Sequence, residues 1–216
     1  MDEFPTNTTL LGVARALNTI RAELCSNEKE DEDSLIISVY CRAETVQQFG
    51  ELNVAWCCGV LPRAHNTSGP PDEDMVAILN DIIELNRAGF ITTNGQPHVP
   101  NHRRSCVFGM VDAARARAIR DMVEQDTDRR FVYYVEHPDG HTESNAPLST
   151  PRGYQLTRGE NPWFLFPTRE GIRYNKWADD ELQLFRDFSM MFVTTRDFDT
   201  PASPMACMRE ALKKHK

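Results

Sequence analysis

No apolar run in this 216-residue chain approaches the about 20 residues that a membrane span requires. The six cysteines, at 25, 41, 57, 58, 106 and 207, contain no Cys-x-x-Cys spacing, and Cys25, Cys41, Cys57 and Cys106 sit in apolar runs; this is the setting of buried free thiols, not of a disulfide framework. Positive charge is in deficit. The 24 Lys and Arg against 32 Asp and Glu leave a formal net charge of −8, which argues against a protein that coats duplex nucleic acid, because neutralising phosphates needs a basic face. Asp2 and Glu3 stand where a signal peptide would carry basic residues, and no lipid-anchor motif is present. The expectation is an intracellular, reduced protein with no membrane partner, in which the sequons Asn7-Thr8-Thr9 and Asn66-Thr67-Ser68 carry no meaning. Internal repeats, low-complexity tracts and linkers are also missing, so the chain reads as a single domain over residues 1–200 with a weakly attached tail at 201–216.

What is present is a succession of helical and strand patterns. Leu10, Val13, Leu17, Ile20 and Leu24 recur at helical spacing, and Leu35-Ile36-Ile37-Ser38-Val39-Tyr40-Cys41 has the length and β-branched content of a buried strand. Val46, Phe49, Leu52 and Trp56 predict a second helix, ended by Gly59 and Pro62. A third begins at Asp72, Glu73 and Asp74, whose carboxylates favour the positive end of a helix dipole, and stops at Gly89. Phe90-Ile91-Thr92, Ser105 to Val111 and Phe131 to Val135 predict strands, with a helix from Asp112 to about Gln125 between the last two. A β-α-β unit of this kind makes its two strands parallel. The expected fold is therefore α/β, a mixed, mostly parallel sheet flanked by helices. Pro138-Asp139-Gly140 predicts a turn and 141–162 a long surface loop or lid. Trp163 to Phe166 predicts a short strand, Trp177, Leu184, Phe188 and Met191 keep helical spacing, and Phe192 to Thr195 follows.

The candidate site is the polar stretch after Phe90-Ile91. In α/β folds ligands gather beyond the carboxyl ends of strands, where Thr92, Thr93, Asn94 and Gln96 are expected to form a loop of uncharged hydrogen-bonders. Gly95 lets backbone amides approach a ligand, Pro97 fixes the chain, and His98, His102, Arg103 and Arg104 follow. Arginine forks beside such a loop suit a carboxylate or phosphate. The competing reading is a polar connection whose side chains cap neighbouring elements.

Phe49-Gly50-Glu51-Leu52, Trp56 and Gly59, then Gly69-Pro70-Pro71-Asp72, then Leu85 to Thr93 with Gln96-Pro97, and finally Arg104, Val107 and Gly109 resemble the pattern of a domain-of-unknown-function family common in actinobacteria. The resemblance covers roughly the middle third of the chain and implies one compact domain in which the Gln96–Arg104 region matters, without implying a reaction. This chain departs from the pattern at Gly95, His98 and Arg103, where the family tends to carry Ser, Gly and Gln. A serine nucleophile at position 95 is thus excluded.

Three functions remain open. The first is a module that binds a small anionic ligand, or an acidic protein segment, through Thr92, Thr93, Asn94, Gln96 and Arg104. The second is a hydrolase or transferase with His98 or His102 as general base, or with Cys106 and a histidine as a thiol–imidazole pair. The third is a structural or assembly protein. A zinc site at His98, His102 and Cys106 would need a helix that Pro97 and Pro100 oppose, so no metal or other cofactor is expected. The acidic runs at 72–74 and 179–181 are accounted for by helix starts.

Overall fold

A computed structural model describes residues 32–65, 67, 69–100, 104–145, 183–196 and 200–214. The first element is a helix, α1 (Glu32–Cys41). This corrects the strand expected at Leu35–Cys41. A short apolar run satisfies either period, and here Ile36, Val39 and Tyr40, at i, i+3 and i+4, are the buried positions. Helix α2 (Val46–Cys57) opens with a capping box, Gln48 N donating to Thr45 Oγ1 at 3.2 Å and Thr45 N to Gln48 Oε1 at 3.2 Å. It buries Phe49, Leu52 and Trp56, the spacing that predicted it. The acidic start at Asp72 leads into a 3-10 turn (Glu73–Ile78) and then α3 (Leu79–Arg87). Gly89, at φ 86°, turns the chain out of α3 in a conformation that side-chain-bearing residues rarely adopt.

Among the described residues five strands follow: β1 (Ile91–Gln96), β2 (Cys106–Val111), β3 (Phe131–Glu136), β4 (Thr142–Ser144) and β5 (Ser189–Thr195), with α4 (Ala113–Glu124) between β2 and β3. They form one sheet in the order β1-β2-β5-β3-β4, and every pairing is antiparallel. The mostly parallel sheet is thereby overturned. Strands β2 and β3 do run in the same direction across α4, but β5 lies between them and pairs antiparallel with each: Val107 meets Val193, and Tyr133 meets Val193 from the other side. Met191, placed on a helix by its spacing, lies in the middle of this central strand.

The tail expected to be weakly attached contains α5 (Pro204–Lys213), capped by Ser203 Oγ, which accepts from Ala206 N at 3.2 Å. Met205 and Met208 are fully buried, and burial of each such side chain is worth about 1.5–3 kcal/mol. Arg209 reaches α3, pairing with Asp81 at 2.6 Å and Glu84 at 3.1 Å. Helices α2, α3, α5 and α4 thus lie side by side and contact the sheet. The helix expected at Leu10–Leu24, the strand at Trp163–Phe166 and the part of the 141–162 loop beyond Asn145 lie outside the described residues.

Candidate functional site

The stretch read as a loop beyond a strand is the strand itself. Thr92, Thr93, Asn94, Gly95 and Gln96 all belong to β1, which among the described residues is an edge strand, paired with β2 and bulged between Thr92 and Asn94. Small polar residues conceal a strand from hydrophobic periodicity, and on an edge strand they are tolerated because one side faces outwards.

Thr92 is fully engaged in the scaffold. On α3, Asn86 is buried; its Nδ2 donates to Thr92 Oγ1 at 2.6 Å and to Ile82 O at 2.8 Å, while its Oδ1 accepts from Thr92 N at 3.2 Å. From α2, Asn53 Nδ2 donates to Asn86 Oδ1 at 3.0 Å and to Thr92 O at 3.2 Å, and Tyr40 Oη donates to Asn53 Oδ1 at 3.1 Å. Both backbone polar groups of Thr92 are therefore satisfied by side-chain amides where a neighbouring strand would otherwise pair. Buried amides linked in this way fasten three helices to the sheet edge. The other motif residues have equally concrete structural roles. A Cβ on Gly50 would lie 2.9 Å from Asn86 O, and one on Gly109 would overlap the Ile91 carbonyl oxygen and the Phe90 ring. Trp56 Nε1 donates to Gly69 O at 2.9 Å. Thr93 Oγ1 is 3.4 Å from Phe108 O, and Asn94 is exposed.

Gln96 differs. Its Oε1 is buried and has no hydrogen-bond partner among the described residues. In register, Gln96, Cys106 and Thr194 are cross-strand partners and share one face of the sheet. The opposite face belongs to Gly95, whose missing Cβ would sit 3.3 Å from Ile82 and 3.6 Å from Met205. Gln96 therefore points away from the helices, and the alternation of an extended chain returns the half-buried Arg104, two residues before Cys106, to its side. His98 is half-buried just beyond Pro97, and His102 and Arg103 lie outside the described residues. Cys106 is buried in the sheet, which pushes its thiol up to about 12, so thiolate is scarce at neutral pH.

The family described as a domain of unknown function, DUF6919, matches residues 37–163. The chain belongs to the DUF6919 family. The match spans α1 to β4, whereas the central strand β5 and helix α5, which close the sheet and its helical layer, lie beyond it. No curated protein matches the chain. The motif residues quoted from Phe49 to Gly109 all fall within the DUF6919 span, and in this fold most of them hold α2, α3 and β1 together.

A second polar cluster, missed in the sequence, occupies the β3–β4 hairpin at the other end of the sheet. His137 Nε2 stands 3.1 Å from Glu143 Oε1, and Glu143 Oε2 lies 3.2 Å from Arg120 Nη1 on α4. His137 Nδ1 is 3.3 Å from Ser189 Oγ on β5, and the rings of His137 and His141 stack at 5.7 Å. Burial alone would raise the carboxyl of Glu143, but Arg120 and His137 outweigh it and hold it below its ordinary range. The signal was legible: Pro138-Asp139-Gly140 marked a turn, and the histidines and glutamate flanking it necessarily converge.

Proposed function

We propose that this DUF6919 chain is a binding module for a small anionic ligand, held at the end of the sheet where β1 passes into β2 by the Gln96 amide and the Arg104 guanidinium. The observation that carries this reading is the buried Oε1 of Gln96, which has no partner among the described residues. An orphaned buried amide costs about 1–3 kcal/mol, and a position that retains one is accounted for when a ligand supplies the missing bond. Rotating the amide by half a turn exchanges its oxygen for its NH2, so the group can accept from a ligand hydroxyl or donate to an anionic oxygen. Arg104 adds a planar donor fork suited to carboxylate or phosphate. Thr92 drops out of the binding set because Asn86 and Asn53 occupy its polar groups.

Calorimetric titration with inorganic phosphate and with acetate at low ionic strength tests the reading. Loss of a charge-assisted bond, about 1.5–3 kcal/mol, weakens affinity roughly 10- to 150-fold, so Arg104→Ala and Gln96→Ala should each lose most of the binding heat. Affinities unchanged in both variants overturn it.

A further inference from the structure

At the end of the sheet where β1 passes into β2, the register brings like charges together. Strands β2 and β5 pair Cys106 with Thr194, and the ladder continues past them, Thr195 N donating to Ser105 O at 3.1 Å. One position further, Arg104 and Arg196 stand opposite each other. On the other side of β5, Phe131 pairs with Thr195 and Arg196 N donates to Arg130 O at 2.7 Å, so Arg196 and Arg130 are cross-strand partners as well. Arg104, Arg196 and Arg130 thus form a row across β2, β5 and β3. Each lies two residues along its strand from Cys106, Thr194 or Val132, the row that Gln96 opens, and so on the same face. Neighbouring strands are about 4.8 Å apart, which makes the arginine row about 10 Å long. Like charges directly opposite one another destabilise a sheet, and this row stands in a chain whose net charge is −8. Arg130 has its own counter-ions, Asp126 at 2.7 Å and Asp128 at 3.8 Å. Arg196 has none among the described residues: its Nε donates to Arg129 O at 2.8 Å, which fixes the plane of the guanidinium, while its two NH2 groups make no hydrogen bond there. Arg129 adds a further exposed guanidinium, at φ 50°, a backbone conformation that favours glycine. The acidic residues Asp112, Glu136 and Asp187 lie at the opposite end of the same strands.

Resting on the reading that Gln96 and Arg104 hold an anion, we propose that the ligand is an oligophosphate chain, with one phosphate seated on Gln96 and Arg104 and the next on the NH2 groups of Arg196 one strand away. An anion lying between Arg104 and Arg196 turns their mutual repulsion into attraction, and each guanidinium presents the planar fork that suits phosphate oxygens. Orthophosphate engages only the Arg104 end of the row, whereas a longer chain engages Arg196 too. Arg130, already held by Asp126 and Asp128, closes the row.

Calorimetric titration of the full chain with orthophosphate, tripolyphosphate and ATP, at low ionic strength and without divalent cations, gives the test. Tripolyphosphate should bind at least about tenfold more tightly than orthophosphate, the gain of one charge-assisted contact. Arg196→Ala should abolish that gain and leave orthophosphate affinity unchanged, while Arg196→Lys, which keeps the charge but not the fork, should retain part of it. Arg117→Ala, which removes an exposed charge on α4, should retain all of it. ATP sharing the gain assigns the phosphate chain of a nucleotide; tripolyphosphate gaining alone assigns a free oligophosphate. Equal affinities of the wild type for orthophosphate and tripolyphosphate overturn the oligophosphate proposal and leave the Gln96–Arg104 site standing, whereas no binding of either overturns both. A gain that survives Arg196→Ala, or is lost equally in Arg117→Ala, comes from net charge instead of the row and also overturns the proposal.

Discussion

The buried amide network at Asn86 yields the sharpest stability prediction. Replacing Asn86 by Ala removes the partner of the Thr92 N–H and Oγ1 and one of the two acceptors of Asn53 Nδ2. Each buried group left unsatisfied costs about 1–3 kcal/mol, which gives a loss of about 2–5 kcal/mol, a large share of the about 5–15 kcal/mol that stabilises an ordinary domain. For a chain of this size that corresponds to a Tm lower by roughly 5–20 °C. Urea denaturation should show a reduced midpoint with an unchanged slope, since the variant exposes about the same surface on unfolding as the wild type. Combining Asn86→Ala with Asn53→Ala should cost less than the two separately, because both substitutions break one network. Asn94→Ala, exposed two positions beyond Thr92, serves as the control and should stay within about 0.5 kcal/mol. Should Asn86→Ala behave like that control, the network does not carry the β1 edge and the reasoning fails.

Gly109→Ala should reduce stability by several kcal/mol, because its Cβ would overlap backbone at Ile91 and the Phe90 ring, whereas Gly69→Ala, with open space around it, should melt like the wild type in a differential scan. Acid should destabilise the fold. Burial alone would raise Asp112, but hydrogen bonds from the Arg115 amide and side chain outweigh it, and the side-chain bond from Arg130 lowers Asp126, so both carboxyls are depressed on folding. A depressed carboxyl adds stability at pH values above its unfolded value, and that stability is lost as pH falls through the folded value; unfolding followed from pH 6 to pH 2 should show this loss, shallower in the Asp112→Asn/Asp126→Asn double variant. Alkylation with iodoacetamide at pH 8 should modify exposed Cys58 well before Cys57 and Cys106, whose thiols burial pushes up to about 12; equal rates would mean the sheet opens readily.

Local features proved more legible than long-range ones. The helix over Val46–Cys57, the Asp112 cap, the strand at Phe131 and the left-handed Gly89 all follow from nearest neighbours in the chain: apolar spacing, a capping side chain and a residue without Cβ. Two readings failed because the deciding interaction lies far away. Strands β2 and β3 flank a helix as a parallel pair would, and nothing near them announces that Ser189–Thr195, more than fifty residues on, enters between them. The tail after Pro201 looked detached, yet Met205, Met208 and Leu212 fall on one helical face that the layer requires. The polar stretch Thr92–Gln96 misled in a different way. A concentration of Thr, Asn and Gln signals hydrogen bonding, but does not say which of these groups the fold itself satisfies: Thr92 is bound by Asn86 and Asn53, whereas the Gln96 amide oxygen has no partner among the described residues.

That division is tested most directly at Gln96 itself, by measuring the Tm and the phosphate affinity of Gln96→Met side by side. Removing a buried, unpaired amide in favour of an apolar side chain of similar length should leave the Tm unchanged or raise it while phosphate binding falls at least about tenfold. A Tm lowered by several degrees with phosphate affinity intact would make Gln96 another strut of the scaffold and contradict the account.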